Sequence, residues 1–200
     1  MSLRRADPPG EPGRQLSLFG TEAADPSVAD LAGLLAGPGE VHRMGRTARL
    51  SVGVDAAWRV HVLVDELARR GLAAGWESTG EQRYVVRTPY LTTLAPLATA
   101  WLAGGVKRPP PRFHLHGRRL RLWLAAAGAA DDAGLLLRLD RRDEPWWPVV
   151  RAALAVVGLP AALLEPEAGG PAYRIGGRRL ARLAELVGDR PPAAPADLWP

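Results

Sequence analysis

The stretch Asp30-Leu31-Ala32-Gly33-Leu34-Leu35-Ala36-Gly37-Pro38-Gly39 decides how this chain is read. Leu31, Leu34 and Leu35 share one face with Val28 on a helix predicted over 27–37. Asp25 is placed to cap it, with Pro26 at the first helical position, where a missing N–H costs nothing. Ala32, Gly33 and Ala36 are small enough to let a second helix backbone come close.

Outward from this helix, the next two runs read as strands. Residues 40–43 and 47–54 flank Met44-Gly45-Arg46, a hairpin turn. In the second run Ala48, Leu50, Val52 and Val54 alternate with Thr47, Arg49, Ser51 and Gly53, so one face is buried and the other polar. Asp55 is expected to cap an amphipathic helix carrying Val60, Leu63, Val64, Leu67 and Ala68, which Gly71 ends with a left-handed cap. Strands over about 72–77 and 83–88 and a helix near 91–103 follow, then a stiff linker containing Pro109-Pro110-Pro111.

The same order then returns. Residues 117–127 read as helix and 134–140 as strand. Asp143 opens a helix whose Trp146, Val150, Ala153, Leu154 and Val157 line one side, and Gly158 ends it. Strands near 161–165 and 172–175 and a helix over 178–187 complete the pattern. The landmarks keep register: Gly39 and Gly128 are 89 residues apart, Gly71 and Gly158 87, and Tyr84 and Tyr173 89. A single match could be chance in a chain with 22 glycines, but three in the same order indicate an internal duplication. The expected organisation is a tail over 1–26, a first repeat over 27–104, a linker over 105–112, a second repeat over 113–188 and a loose proline-rich tail over 189–200. Because tandem copies can pair within one chain, a monomer is the default.

The Asp30–Gly39 run resembles the LAGLIDADG signature of homing endonucleases. That resemblance implies an α+β fold of two tandem αββαββα repeats packed through their first helices. It also implies that the last acid of each signature would bind the metals that cleave phosphodiesters. Here that position falls on Pro38 in the first copy and, in Leu122-Trp123-Leu124-Ala125-Ala126-Ala127-Gly128, on Ala127 in the second. Neither side chain offers an oxygen to a hard cation. Asp131 and Asp132, a few residues on, read as turn residues rather than displaced ligands. The expectation is therefore a protein without nuclease activity and without a cofactor. The degenerate signature helix, the Arg83-Tyr84-Val85-Val86-Arg87 strand and the Trp123–Gly128 segment are similar to the LAGLIDADG-like domain of the WhiA family of bacterial regulators. No helix-turn-helix follows it in this sequence.

If the sheets form the saddle that this resemblance implies, polar strand positions would face double-stranded DNA. Arg49, Ser51, Arg83 and Arg87 in the first copy and Arg138 and Arg174 in the second are the candidates. Arg43 and Arg46 at the hairpin could reach phosphates, fixing position without reading sequence. The alternative is a solvated arginine-rich face on a protein-interaction adaptor that has lost DNA binding.

A second resemblance lies in the tail. Gln15-Leu16-Ser17-Leu18-Phe19 is similar to the pentapeptide that docks on the bacterial DNA-polymerase sliding clamp. Three apolar side chains in a polar, proline-flanked segment suit a linear motif that fills a partner's pocket. The resemblance puts Gln15 at the rim, Leu16 in a shallow groove, and Leu18 with Phe19 in the deep pocket. Packing back onto the chain's own domain is the competing reading.

Composition narrows the remaining choices. Apolar residues make up 47% of the chain, enough for a packed core. Net charge is +5, and Lys107 is the only lysine, so the positive side is almost wholly arginine. Arginine's fork suits phosphates and guanine edges, although GC-rich codon usage produces the same bias. The absence of cysteine excludes disulfides, thiolate zinc sites and a thiol nucleophile, and fits a reducing interior. No signal peptide or membrane span is evident, so the expected location is cytoplasmic. His114 and His116 read as alternating strand residues rather than metal ligands. One ring of Trp146-Trp147 is expected in the core.

Overall fold

The computed structural model describes residues 25–165 and 170–200. Alternation in the first hairpin becomes burial: Ala48, Leu50, Val52 and Val54 are buried on β2 (Thr47–Val54), which pairs with β1 (Gly39–Met44). The turn needs Gly45, whose φ of +58° lies in the left-handed region. After α2 (Ala57–Ala68) come β3 (Gly75–Gly80) and β4 (Arg83–Arg87), giving a sheet in the order β1-β2-β4-β3. A helix, α3 (Ala95–Trp101), and a two-residue hairpin of β5 (Leu102–Ala103) and β6 (Val106–Lys107) close the first repeat. The second repeat has α4 (Gly117–Ala127), β7 (Gly128–Asp131), β8 (Gly134–Arg138), α5 (Trp147–Val156), β9 (Ala162–Leu164), β10 (Ala172–Ile175) and α6 (Arg179–Val187). Its sheet order, β7-β8-β10-β9, repeats that of the first. The chain is α+β, with two repeats joined through their first helices.

That joint is a close backbone contact. The first helix, α1 (Ala32–Ala36), is buried along its whole length. A Cβ on Gly33 would lie 1.9 Å from the Arg119 carbonyl oxygen, and one on Gly37 would lie 2.5 Å from the Trp123 indole. Contacts advance together along both helices, 33 against 119 and 37 against 123, so α1 and α4 run in the same direction. Trp123, fully buried, carries the contact onward: its Nε1 donates to the Arg138 carbonyl at 2.9 Å, and its ring meets Tyr173 edge-on.

Several local expectations are corrected. Asp25 and Pro26 do not start the first helix: a 3-10 turn over Val28–Leu31 begins after Ser27, whose N–H donates to the Asp30 carboxylate at 2.9 Å. Two guanidiniums hold Asp30 in place, and the tight turn leaves α1 only five residues. Asp55 and Asp143 are not caps, because each carboxylate turns to a cation. Asp140 caps the 3-10 turn over Arg141–Trp146 instead, accepting from the Arg142 N–H. The strand β7 was not legible, since Gly-Ala-Ala-Asp has no β-branched or aromatic residue and is held by its pairing with β8. His114 and His116 lie in the loop before α4, outside any strand.

The linker and C-terminal segment are also tied down. Lys107 fastens the linker by donating to the Gly37 and Gly39 carbonyls at 3.0 and 2.8 Å. At the C-terminus Trp199 is buried, donates to the Gly188 carbonyl, and lies 5.0 Å from the Arg121 guanidinium. Tryptophan burial outweighs the loose behaviour that the surrounding prolines suggest.

The Gly33 contact makes a prediction. Gly33→Ala should lower stability by about 3 kcal/mol or more in urea unfolding, since backbone rather than a pliable side chain must move. Gly53→Ala, with open space around its Cβ, should leave stability nearly unchanged.

Candidate nucleic-acid interface

Each sheet turns one face to the core and the other outward, and strand register decides what shares the outer face. In the first repeat Ser51 pairs with Arg87, His42 with Arg49, and Gly53 with Val85, two residues from Arg83. Ser51, Arg49, Arg83 and Arg87 therefore lie on one surface, as the alternation predicts. In the second, Arg138 pairs with Ala172 and Arg174 with Leu136, again on the outer side. Arg43 departs from the expectation. It pairs with Ala48, an inward position, and its side chain reaches Gly45 O at 3.1 Å and Thr99 of α3 at 3.3 Å. Arg46 is exposed in the turn.

The outer arginines differ in how far they are committed. Arg83 and Arg46 enter no ion pair among the described residues. Arg49 stacks over Tyr90 with its guanidinium 4.9 Å from the ring centroid, and its buried Nε has no partner. Arg87 pairs with Glu77 at 2.8 Å, Arg138 with Asp55 at 3.0 Å, and Arg174 with Asp131. The last three pairs are exposed enough for water and salt to compete with them. Residues 15–19 lie outside the described residues.

Between the repeats, Pro38 and Ala127 line a single cavity of about 330 Å³ with Asp55, Arg83, Tyr84 and Arg138. The one carboxylate among these is bound twice over, to Arg59 at 2.7 Å and to Arg138 at 3.0 Å. Burial pushes the Asp55 carboxyl up, but the two guanidiniums outweigh it and hold it below the usual carboxylate range. Among the described residues no group of three or more His, Asp or Glu is placed to hold a metal ion.

The ends of the two central helices are held by cations. Arg59, itself buried, donates through Nη1 to the carbonyls of Leu124 and Ala125, and through Nη2 to that of Gly128, where α4 ends. Lys107 does the same for α1 and is paired at 2.5 Å with Asp143. Asp143 lies 88 residues after Asp55, the spacing of the duplication. Each repeat thus uses an acid after its first hairpin to hold a cation on the carbonyl end of the other repeat's helix. Burial pushes the Asp143 carboxyl up against the pull of Lys107. The sequence carried one legible sign of this device, the i, i+4 spacing of Asp55 and Arg59.

The homing endonuclease I-WcaI, solved bound to its DNA recognition sequence, matches this chain with a TM-score of 0.59. Sequence identity is 12%, over 79% of this chain and 78% of that one. I-DmoI, solved in complex with DNA and Mn, matches 81% of this chain and 96% of its own at 14% identity, with a TM-score of 0.46. No family model matches the sequence, and comparison with curated proteins finds no match. The likeness to I-WcaI shows that the chain has the LAGLIDADG homing-endonuclease fold. No helix among the described residues is long and apolar enough to cross a membrane.

At the opposite end of the central helix pair, charges are buried rather than presented. Asp30 accepts from Arg70 at 3.2 Å and Arg118 at 3.1 Å, and Glu66 from Arg70 at 2.7 Å and Arg121 at 2.8 Å. Burial raises both carboxyls, but their hydrogen bonds and guanidinium neighbours prevail and hold both below the ordinary range. His116, 3.7 Å from Asp30, is held down to about 4 by burial and by the charge of Arg119.

These shifts fix the pH dependence. The two carboxylates stabilise the fold at neutral pH and stop doing so as pH falls through their lowered folded values. His116 acts earlier: unfolded it takes a proton below about 6.5, folded only near 4, so stability should start to decline below pH 6.5. Chemical unfolding across this range should show the decline, and His116→Gln should remove the part between pH 6.5 and 4.

Proposed function

We propose that this chain is a non-catalytic DNA-binding protein of the WhiA-like, LAGLIDADG type, with the two outer sheet faces forming one saddle on a duplex. One observation carries the reading. The cavity where the signature acids would meet contains Pro38, Ala127, one doubly paired Asp55, and the guanidiniums of Arg83 and Arg138. That balance suits a backbone phosphate and opposes the binding of divalent cations. Arg49, Arg83, Arg87, Arg138 and Arg174 supply the sequence-independent hold. Arg49, steadied on Tyr90, is the member of the set best placed to read a base edge.

A second reading, a protein-interaction adaptor, is favoured by the pairing of Arg87, Arg138 and Arg174 with carboxylates of the chain itself. Replacing Arg49, Arg83 and Arg87 together with Glu separates the two. We expect duplex-DNA affinity at low salt to fall at least about a hundredfold, from the lost phosphate contacts and the new repulsion. Unchanged affinity would assign the chain to the adaptor reading, and magnesium-dependent cleavage by the parent protein would refute the non-catalytic one.

Recruitment to replication or repair sites through Gln15-Leu16-Ser17-Leu18-Phe19 belongs to the same proposal, with the sliding clamp as partner. A peptide of residues 10–24 should bind a purified clamp at micromolar concentration and lose binding when Leu18 and Phe19 are both replaced by Ala. No binding of the parent peptide at high micromolar concentration would end this part of the reading.

A further inference from the structure

The buried charge network at the N-terminal end of the central helices opens to solvent in a second cavity. It encloses about 210 Å³ and is lined by Glu66, Arg69, Arg70, Arg118, Arg121 and Asp189. Four guanidiniums meet there, against Glu66 and Asp30 within the network and Asp189 at the rim. The Asp189 carboxylate enters no ion pair among the described residues; Arg121 takes its backbone carbonyl. Glu66 is thus shared by the guanidiniums of Arg69, Arg70 and Arg121.

Donors are left over as well. The Arg70 side chain is 1% exposed, and its Nε has no acceptor, an arrangement that folded proteins seldom leave unmet. Arg121 spends Nε on Glu66 and Nη1 on two backbone carbonyls, which leaves Nη2. Arg69, mostly exposed, touches Glu66 only at 3.7 Å. Several guanidinium N–H groups around one small cavity suit a tetrahedral anion with several acceptor oxygens better than a flat carboxylate.

We infer that this cavity binds an oxyanion of the phosphate class, held by Arg69, Arg70 and Arg121. Arg121 of α4 also joins the repeats through Glu66 of the first, and Arg70 ties Glu66 to Asp30 of the first helix's opening turn. An anion bound there takes up the unmet donors at the joint and stabilises the folded chain. The site is at the other end of the helix pair from Pro38 and Ala127, and does not depend on DNA binding by the sheets.

The full-length chain in chloride buffer of fixed ionic strength tests this, with inorganic phosphate and pyrophosphate as probes in thermal melts and titration calorimetry. The expected result is a saturable rise in Tm. Arg69→Ala, an exposed position, should weaken the affinity about tenfold by removing a charge-assisted donor, and Asp189→Asn should tighten it. Replacing Arg151, an exposed residue of α5, with Glu should leave anion affinity unchanged. No saturable effect from either probe, or variants at Arg69 and Asp189 that bind like the parent, would overturn the inference.

Discussion

The close approach of α1 and α4 is the constraint on which the rest depends. With the Gly33 Cα effectively against the Arg119 carbonyl, the two helix backbones meet with no side chain between them. Everything that a duplicated sheet could do as one surface follows from this contact. It sets the spacing of the sheets, brings Pro38 and Ala127 to one cavity, and lets Arg138 of one repeat reach Asp55 of the other. Dispersion and burial supply the contact, and the absence of side chains at Gly33 and Gly37 makes it geometrically available.

Charge is arranged around that axis in two different ways. At the carbonyl ends of the helices, Arg59 and Lys107 occupy the acceptors that helix ends leave open, Arg59 tethered by Asp55 and Lys107 by Asp143. At the amino ends, two buried carboxylates draw in three arginines, while burial and the charge of Arg119 keep His116 neutral. Burying so many charges is expensive unless they are paired, and breaking one pair would strand the others. The first arrangement leaves a cavity lined by Pro38, Ala127, Asp55, Arg83 and Arg138. The second leaves a surplus of guanidinium donors.

Much of this was legible in the sequence, for identifiable reasons. Period-two alternation in Thr47–Val54 placed β2 to the residue and put Arg49 and Ser51 outward. Small residues in Asp30–Gly39 announced the helix contact, and the 87–89 residue offsets announced the duplication. What failed was tertiary in origin. Asp55 and Asp143 look like helix caps in isolation, but cations from distant segments, Arg138 and Lys107, compete for the two carboxylates. Arg43 looked free because nothing local reveals Thr99 beside it. The strand β7 has no intrinsic preference to betray it, and the final Trp199 overrode its proline-rich surroundings.

On the proposed reading the outer sheet faces bind DNA and are not merely solvated. The salt dependence of duplex-DNA affinity, measured on the full chain, separates the two. If Arg46, Arg49, Arg83, Arg87, Arg138 and Arg174 all engage phosphates, log Kobs should fall linearly with log salt with a slope of about −5. A slope near zero would contradict the proposed reading.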